Sequence, residues 1–223
     1  MFEESPFRFV KAPNFIQPFS DRVYWLPITL SHKLDKELDQ AIYFFGSFAA
    51  IMSCFLLKRI KGETQRKLFS IATGMMIHFF VFGVSALASV TQNVLCFLMM
   101  TYLPQKWQHI AVFVTSAFIL SLAQLHKQFF NPGVNGLDVP MNLMFNFCKV
   151  TSLVCAVSDG LKIKKEGRDN ADLKKREKEF AIETGIPDFF DYWAYMYFVG
   201  AAISGPWYEF KDFQNYMKKT AHY

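Results

Sequence analysis

The stretch "DVPMNLMFNFCKVTSLVCAVSDG", Asp138–Gly160, sets a lysine at the centre of what otherwise reads as a membrane span. Eleven residues precede Lys149 in this stretch and eleven follow it. An ammonium at the middle of a bilayer-spanning helix costs about 3 kcal/mol on insertion scales. On a helix from Asp138, the residues Asn142, Asn146, Lys149 and Ser152 fall within roughly a third of the circumference, at 100° per residue. Met, Leu, Phe and Val fill the opposite face. Lipid offers no hydrogen bonds, so the polar stripe must face protein or a water-filled cavity. Asp138 and Asp159 lie about 16 and 15 Å from Lys149 along the helix, too far to pair with it. A carboxylate on another helix, such as Asp191, or backbone carbonyls are the expected partners.

The composition agrees with a membrane setting. Of 223 residues, 52% are hydrophobic and 17% aromatic, with 26 Phe. Charged residues make up 19%, below the roughly 25% of a soluble domain. The mean hydropathy of +0.14 averages strongly apolar runs with polar links. The net charge of +5 sits in short loops, which excludes a nucleic-acid surface and fits the positive-inside pattern. Cys54, Cys96, Cys148 and Cys155 all fall in apolar runs and read as small hydrophobes, with no metal spacing and no disulfide framework. The start, "MFEESPFRFVKAPNF", has acids and prolines and no apolar core, so no cleavable signal peptide is expected. Dinucleotide, P-loop and HExxH motifs are absent, and no cofactor or metal ligand set is expected.

Along the chain, residues 1–40 are Pro-punctuated and aromatic and read as an interfacial or re-entrant cap. Ala41–Leu57 is a first apolar run, ending at the basic loop "KRIKGETQRK", Lys58–Lys67. Leu68–Leu103 carries no acid, Lys or Arg over 36 residues, too long for one span. A break is expected at "SVTQN", Ser89–Asn93. Ile110–Leu125 and the opening stretch follow, then the charged segment Leu161–Glu179. Phe189–Ile203 is short and aromatic and reads as an interfacial or tilted helix. Splitting the long run gives four crossings between the two basic regions and returns both to the cytosolic side. The expected fold is all-α: a multi-pass transmembrane bundle of about five spans plus interfacial amphipathic helices. Residues 41–217 form its body and 218–223 a tail.

In "GAAISGPWYEFKDFQNYM", Gly200–Met217, Ser204-Gly205-Pro206 closes an apolar run, and Pro206 suits the first position of a new helix. Trp207, Phe210, Phe213 and Met217 then mark the apolar side of an amphipathic helix expected in the membrane interface.

Taken in order, these stretches resemble the membrane-bound O-acyltransferase family, and most closely its lysophospholipid acyltransferase branch. His126 follows the fourth run. Asp138, Met144, Lys149-Val150-Thr151 and Asp159-Gly160 are similar to one family segment. "IPDFFDYWAYMYFVGAAISGPWYEFKDFQNYM" is similar to another, with Asp188 at a usual serine and Asp191 about where a glutamate is expected. Gly74 and Gly83 also fit. The resemblance covers roughly residues 40–217 and implies the N-terminal half of such an enzyme.

What the resemblance implies is acyl transfer from acyl-CoA, as co-substrate, to a lysophospholipid hydroxyl, in the endoplasmic reticulum membrane. A histidine base would activate the hydroxyl. The family's catalytic histidine lies in a C-terminal half, and none of His32, His78, His109, His126 and His222 matches it, so no catalytic residue is assigned. His78, in mid-span, is expected to be a neutral, hydrogen-bonded packing residue. Substrate-tunnel or head-group candidates are Asn142, Asn146, Lys149, Asp159, Gly205, Pro206 and Trp207. For Lys149, packing is expected ahead of contact with an anionic head group. Membrane lipids, acyl-CoA, a lysophospholipid and a C-terminal half or larger membrane assembly are the implied partners. The alternative is a non-catalytic membrane subunit or scaffold of the same fold. A small transporter fits less well, because intramembrane charges are few and no inverted repeat is visible.

Overall fold

A computed structural model of the chain describes residues 24–34, 38–130, 139–166, 174–201, 203 and 208–218. Among these the secondary structure is helical. Helix α1 is Trp25–Leu34 and α2 is Leu38–Arg59. Then come α3, Glu63–Phe82, a 3-10 turn at Gly83–Ser85, and α4, Ala86–Tyr102. Helices α5, Gln105–Phe130, and α6, Val139–Glu166, are the longest. Short elements follow: α7, Lys175–Phe180; α8, Phe189–Met196; a 3-10 turn, Val199–Ala201; and α9, Phe210–Lys218.

Local chemistry sets the ends. Lys58 and Arg59 in the last turn of α2, and Glu63 in the first turn of α3, each complement the helix dipole. Pro104 separates α4 from α5 because it cannot continue a helix. Helix α3 ends at Gly83, whose φ of 56° and ψ of −138° suit glycine and strain most other residues.

Helices α2, α5 and α6 are long and apolar enough to cross a membrane, and α4 is a shorter apolar helix. Only 11% of the apolar window of α5 is buried in protein and 22% of that of α2, against 50% for α6. So α6 is the central post and α5 turns most of its surface outward. The core gathers α3, α4, α6, α8 and α9 around Met100, Val150, Leu153, Tyr192, Tyr195 and Phe213. Edge-to-face rings tie α8 and α9 together, including Tyr195 with Phe210 at 5.2 Å and Phe198 with Phe213 at 5.6 Å.

Three placements differ from the sequence reading. The long apolar run breaks at Gly83–Ser85, and Ser89–Asn93 is helical. Ser89, Gln92 and Asn93 are buried, so their polarity serves the interior of the bundle and marks no loop. Phe189–Ile203 is an interrupted helix, and Tyr192, Ala194, Tyr195 and Val199 lie wholly inside the bundle. Tyr192, Trp193, Tyr195 and Tyr197 pack against protein, whereas Phe189 and Phe190 stay exposed. The amphipathic helix forms, but it starts at Phe210, and Phe210, Phe213 and Met217 are buried against the protein's own core.

The interrupted helices share one device. The last carbonyls of a helix have no intrahelical donor, and hydrocarbon supplies none. Tyr24 Oη donates to Phe80 O at the end of α3, at 2.6 Å. Gln108 Nε2 donates to Met100 O and Leu103 O at the end of α4, at 2.8 and 2.9 Å. Arg66 Nη1 donates to Met217 O in the last turn of α9, at 2.8 Å. Each donor comes from a different element, so each closes a break and fixes a tertiary contact at once.

Candidate functional site

The polar stripe of α6 is buried as a seam. Lys149 is 6% exposed, and its Nζ donates to Met196 O and Ala201 O, both at 3.2 Å. Those carbonyls belong to the last residue of α8 and to the 3-10 turn beyond it. The ammonium also lies 5.4 Å from the centre of the Tyr208 ring. It is the cap of the α8 interruption. Of the two kinds of partner expected, the backbone carbonyls are found, and Asp191 is engaged elsewhere: it accepts from Lys67 at 2.6 Å, as Glu63 also does at 2.6 Å. Neutral carbonyls carry no sequence signal, whereas a carboxylate is visible in any sequence.

Below Lys149 the stripe meets α3 and α4. Asn146 Nδ2 donates to Ser89 Oγ at 2.8 Å, and Asn142 Nδ2 lies 3.1 Å from His78 Nε2. The Asn142 amide and the His78 ring are thus joined by a buried hydrogen bond between α6 and α3. His78 is 1% exposed and also lies 3.1 Å from Ser89 Oγ. Tyr197 completes the cluster: its hydroxyl accepts from Asn93 Nδ2 at 3.2 Å and sits 3.5 Å from Ser89 Oγ. Tyr192 Oη donates to Asn93 O at 2.9 Å. A Cβ at Gly74 would fall on the Tyr197 carbonyl, so α3 can approach this turn only as glycine.

Ser89 and His78 have the spacing of a nucleophile and its base. Ser89 is fully buried, however, and its oxygen already accepts from Asn146. No thioester can reach it in this arrangement, and the cluster acts as an interhelical polar lock. Sequence reasoning missed Ser89, Asn93 and Tyr197. The i, i+4 spacing of Ser89 and Asn93 in an apolar run was the available signal.

One turn along α6, Ser152 Oγ donates to Glu209 Oε2 at 2.6 Å, joining α6 to the start of α9. Asp159 stays apart from the seam. It is half-buried near the end of α6 and faces Lys162 of its own helix at 3.6 Å. Gly205, Pro206 and Trp207 lie outside the described residues. His109 and His126 sit on the exposed surface of α5.

Comparison with known proteins agrees with this architecture. Residues 68–222 match the profile of MBOAT, the membrane-bound O-acyltransferase family. Three curated proteins are similar. The chain is 25% identical to "Lysophospholipid acyltransferase 6" of Drosophila melanogaster over 154 residues, which is 69% of this chain and 20% of the fly protein. It is 27% identical over 188 residues to "Lysophospholipid acyltransferase" of Saccharomyces cerevisiae, covering 81% of this chain and 29% of the yeast protein. It is 22% identical over 200 residues to the human "Membrane-bound glycerophospholipid O-acyltransferase 2", covering 87% and 37% of the two chains. The chain thus spans between a fifth and somewhat over a third of the length of these relatives. The match begins in the second turn of α3 and takes in the seam, the interrupted α8 and α9: this integral membrane protein belongs to the membrane-bound O-acyltransferase family.

Proposed function

We propose that this chain forms part of the membrane core of an enzyme that transfers acyl groups from acyl-CoA to lysophospholipids, in phospholipid remodelling at the endoplasmic reticulum. The observation that carries this reading is the family match over residues 68–222, with relatives named for acyl transfer to lysophospholipids or glycerophospholipids. Asn142, Asn146 and Lys149 make the rigid inner wall that holds the α8 interruption and the segment after it in place. Gly205, Pro206 and Trp207, which follow that interruption in the sequence, remain candidates for the same wall. Asp159 belongs to the cytosolic end of α6, where acyl-CoA arrives.

The general base comes from outside the seam. His78 is buried and hydrogen-bonded in it, and His109 and His126 face outward from α5. Expressed by itself, the chain is therefore expected to transfer no acyl groups. The alternative, a non-catalytic membrane subunit of the same fold, shares that expectation for the isolated chain. The two part when the chain is joined to the C-terminal portion of a relative. The test uses microsomes from cells stripped of their own lysophospholipid acyltransferases, supplied with labelled acyl-CoA and lysophosphatidylcholine or lysophosphatidylethanolamine. Labelled diacyl product from the joined protein above empty vector supports the enzyme reading. No product from any joined form, with the protein folded and membrane-inserted, favours the subunit. Product from the unjoined chain would overturn the assignment of the base.

A further inference from the structure

The turn between α4 and α5 meets the end of α6. Lys165 Nζ donates to Gln105 Oε1 at 3.0 Å, so the last turn of α6 is fastened beside the first turn of α5. Three exposed lysines stand at this junction: Lys106, next to Gln105, and Lys164 and Lys165. Among the described side chains none of the three has a carboxylate partner, and Asp159, earlier on α6, faces Lys162 instead. Two exposed rings flank Lys106 along the chain. Tyr102, 78% exposed, closes α4, and Trp107, 55% exposed, lies in the first turn of α5. Such amphipathic rings settle at the head-group level of a bilayer. From Trp107, the exposed residues Ile110 and Val114 continue at i+3 and i+7 down one face of α5, a helix long enough to cross the membrane. Ammonium groups, then belt rings, then an apolar wall follow one another in the order of a lipid's own parts.

We propose that this junction holds an anionic diacyl phospholipid as a bound, non-reacting lipid, with its head group on Lys106, Lys164 and Lys165 and one chain along Trp107, Ile110 and Val114. Three cations without a counter-charge select an anion, as basic clusters beside a span do for anionic lipids of the leaflet they face. Lys165 spends one of its three donors on Gln105 and keeps two for the ligand. The apolar face directly beneath selects a lipid over a free phosphate, which would leave that face bare. A zwitterionic lipid gains less, because the cluster repels its ammonium. The site lies on the outer surface of α5 and α6, uses none of the seam's contacts, and stands whether or not the acyl-transfer reading holds.

The experiment uses the whole chain in neutral detergent, titrated with dioleoyl phosphatidylglycerol or dioleoyl phosphatidylcholine. The two probes share their chains and differ in net charge, and native mass spectrometry counts the lipids retained. The expected result is one phosphatidylglycerol held on the order of tenfold more tightly than phosphatidylcholine, since each lysine near an anionic head group is worth roughly fivefold. The preference should shrink as salt is raised. Lys106→Gln, Lys164→Gln and Lys165→Gln together should abolish it. Lys106→Gln with Lys164→Gln, which keeps the Lys165–Gln105 bond and so the local fold, should remove most of it. Neutralising Lys58, Arg59 and Lys61 in the same way takes as many charges from the other basic region and should leave the preference in place. Equal binding of the two probes by the unaltered chain overturns the proposal. So does an equal loss from the Lys58, Arg59 and Lys61 variant, which would make the effect one of general charge. Displacement by glycerophosphoglycerol, the head group without chains, at the lipid's own concentration would show that the apolar face plays no part, and overturns it too.

Discussion

The ammonium of Lys149 lies 3.2 Å from the carbonyl oxygen of Met196, the residue on which α8 stops. A charge that is costly within the bilayer is set where a broken helix presents its negative end. Replacing it separates two effects. Lys149→Met should make insertion of α6 more favourable by about 3 kcal/mol, read in a glycosylation-based insertion assay. The same variant strands the carbonyls of Met196 and Ala201, at about 1–3 kcal/mol each, and should lower the thermal midpoint in detergent. Lys149→Glu should be worse, because it turns an anion toward those carbonyls. A Lys149→Met protein that inserts better and also melts higher would show that the cap contributes nothing.

Close approach makes two glycines sensitive. A Cβ at Gly74 would strike the Tyr197 carbonyl, and one at Gly160 would strike the carbonyl of Ile182. Gly160 matters because the Ile182 amide docks on Ala156 O at 3.0 Å, holding the segment before α8 against α6. Each Gly→Ala change should cost about 1–3 kcal/mol through forced backbone shifts. Gly185→Ala is the informative contrast. Space around it is open, and its cost comes from a φ of 91° alone. Thermal unfolding of the three variants in one detergent gives the comparison.

Arg66 seats α9. Its guanidinium donates to Met217 O and covers the Tyr216 ring at 4.7 Å. Arg66→Met should cost about 2 kcal/mol or more, since it leaves a carbonyl unmet and removes a cation–π contact. The loss should be local, so limited proteolysis should cut after Glu209 sooner while the α3–α6 region stays protected. Uniform loosening of the whole chain would argue against this account.

Splitting the long apolar run at Gly83–Ser85 keeps four crossings between the two basic regions, and side-chain contacts tie each region to a neighbouring element. Lys165 Nζ donates to Gln105 Oε1 at 3.0 Å, and Lys67, at the start of α3, holds Asp191, at the start of α8. In a cysteine-free background, Gly62→Cys and Lys164→Cys should both react with a membrane-impermeant maleimide from the cytosolic side of sealed microsomes. Reaction from opposite sides would remove the four-crossing arrangement.

The stripe on α6 was legible because a period of 100° per residue needs no tertiary knowledge. Asn142, Asn146, Lys149 and Ser152 are found together on one face, all four engaged with other helices. The expectation that His78 is hydrogen-bonded in mid-span also matches the structure. The break in the long apolar run was misplaced for a physical reason. Ser89–Asn93 has a loop's composition, but polar side chains inside a membrane bundle seek each other, and the deciding residue is one glycine with positive φ. Nothing local distinguishes Gly83 from Gly74, yet one ends a helix and the other lets two elements touch. The burial of α8 was not readable either. Its aromatic density suits an interface, and only its contacts with α3, α4 and α6 give it a protein surround.

The donors that close the breaks also impose an order of manufacture. Helix α8 has 8 residues and α9 has 9, far below the roughly 20 needed to cross a bilayer unaided. Neither can enter the membrane region as an independent span, and both need a finished seat. Their acceptors are met by Lys149 and Arg66, which leave the ribosome earlier. Synthesis runs from the N-terminus, so the seat exists before its occupants arrive. The translocon therefore has no need to partition α8 and α9 into lipid as spans of their own. These two short segments are placed by the protein itself, as ligands of their own scaffold.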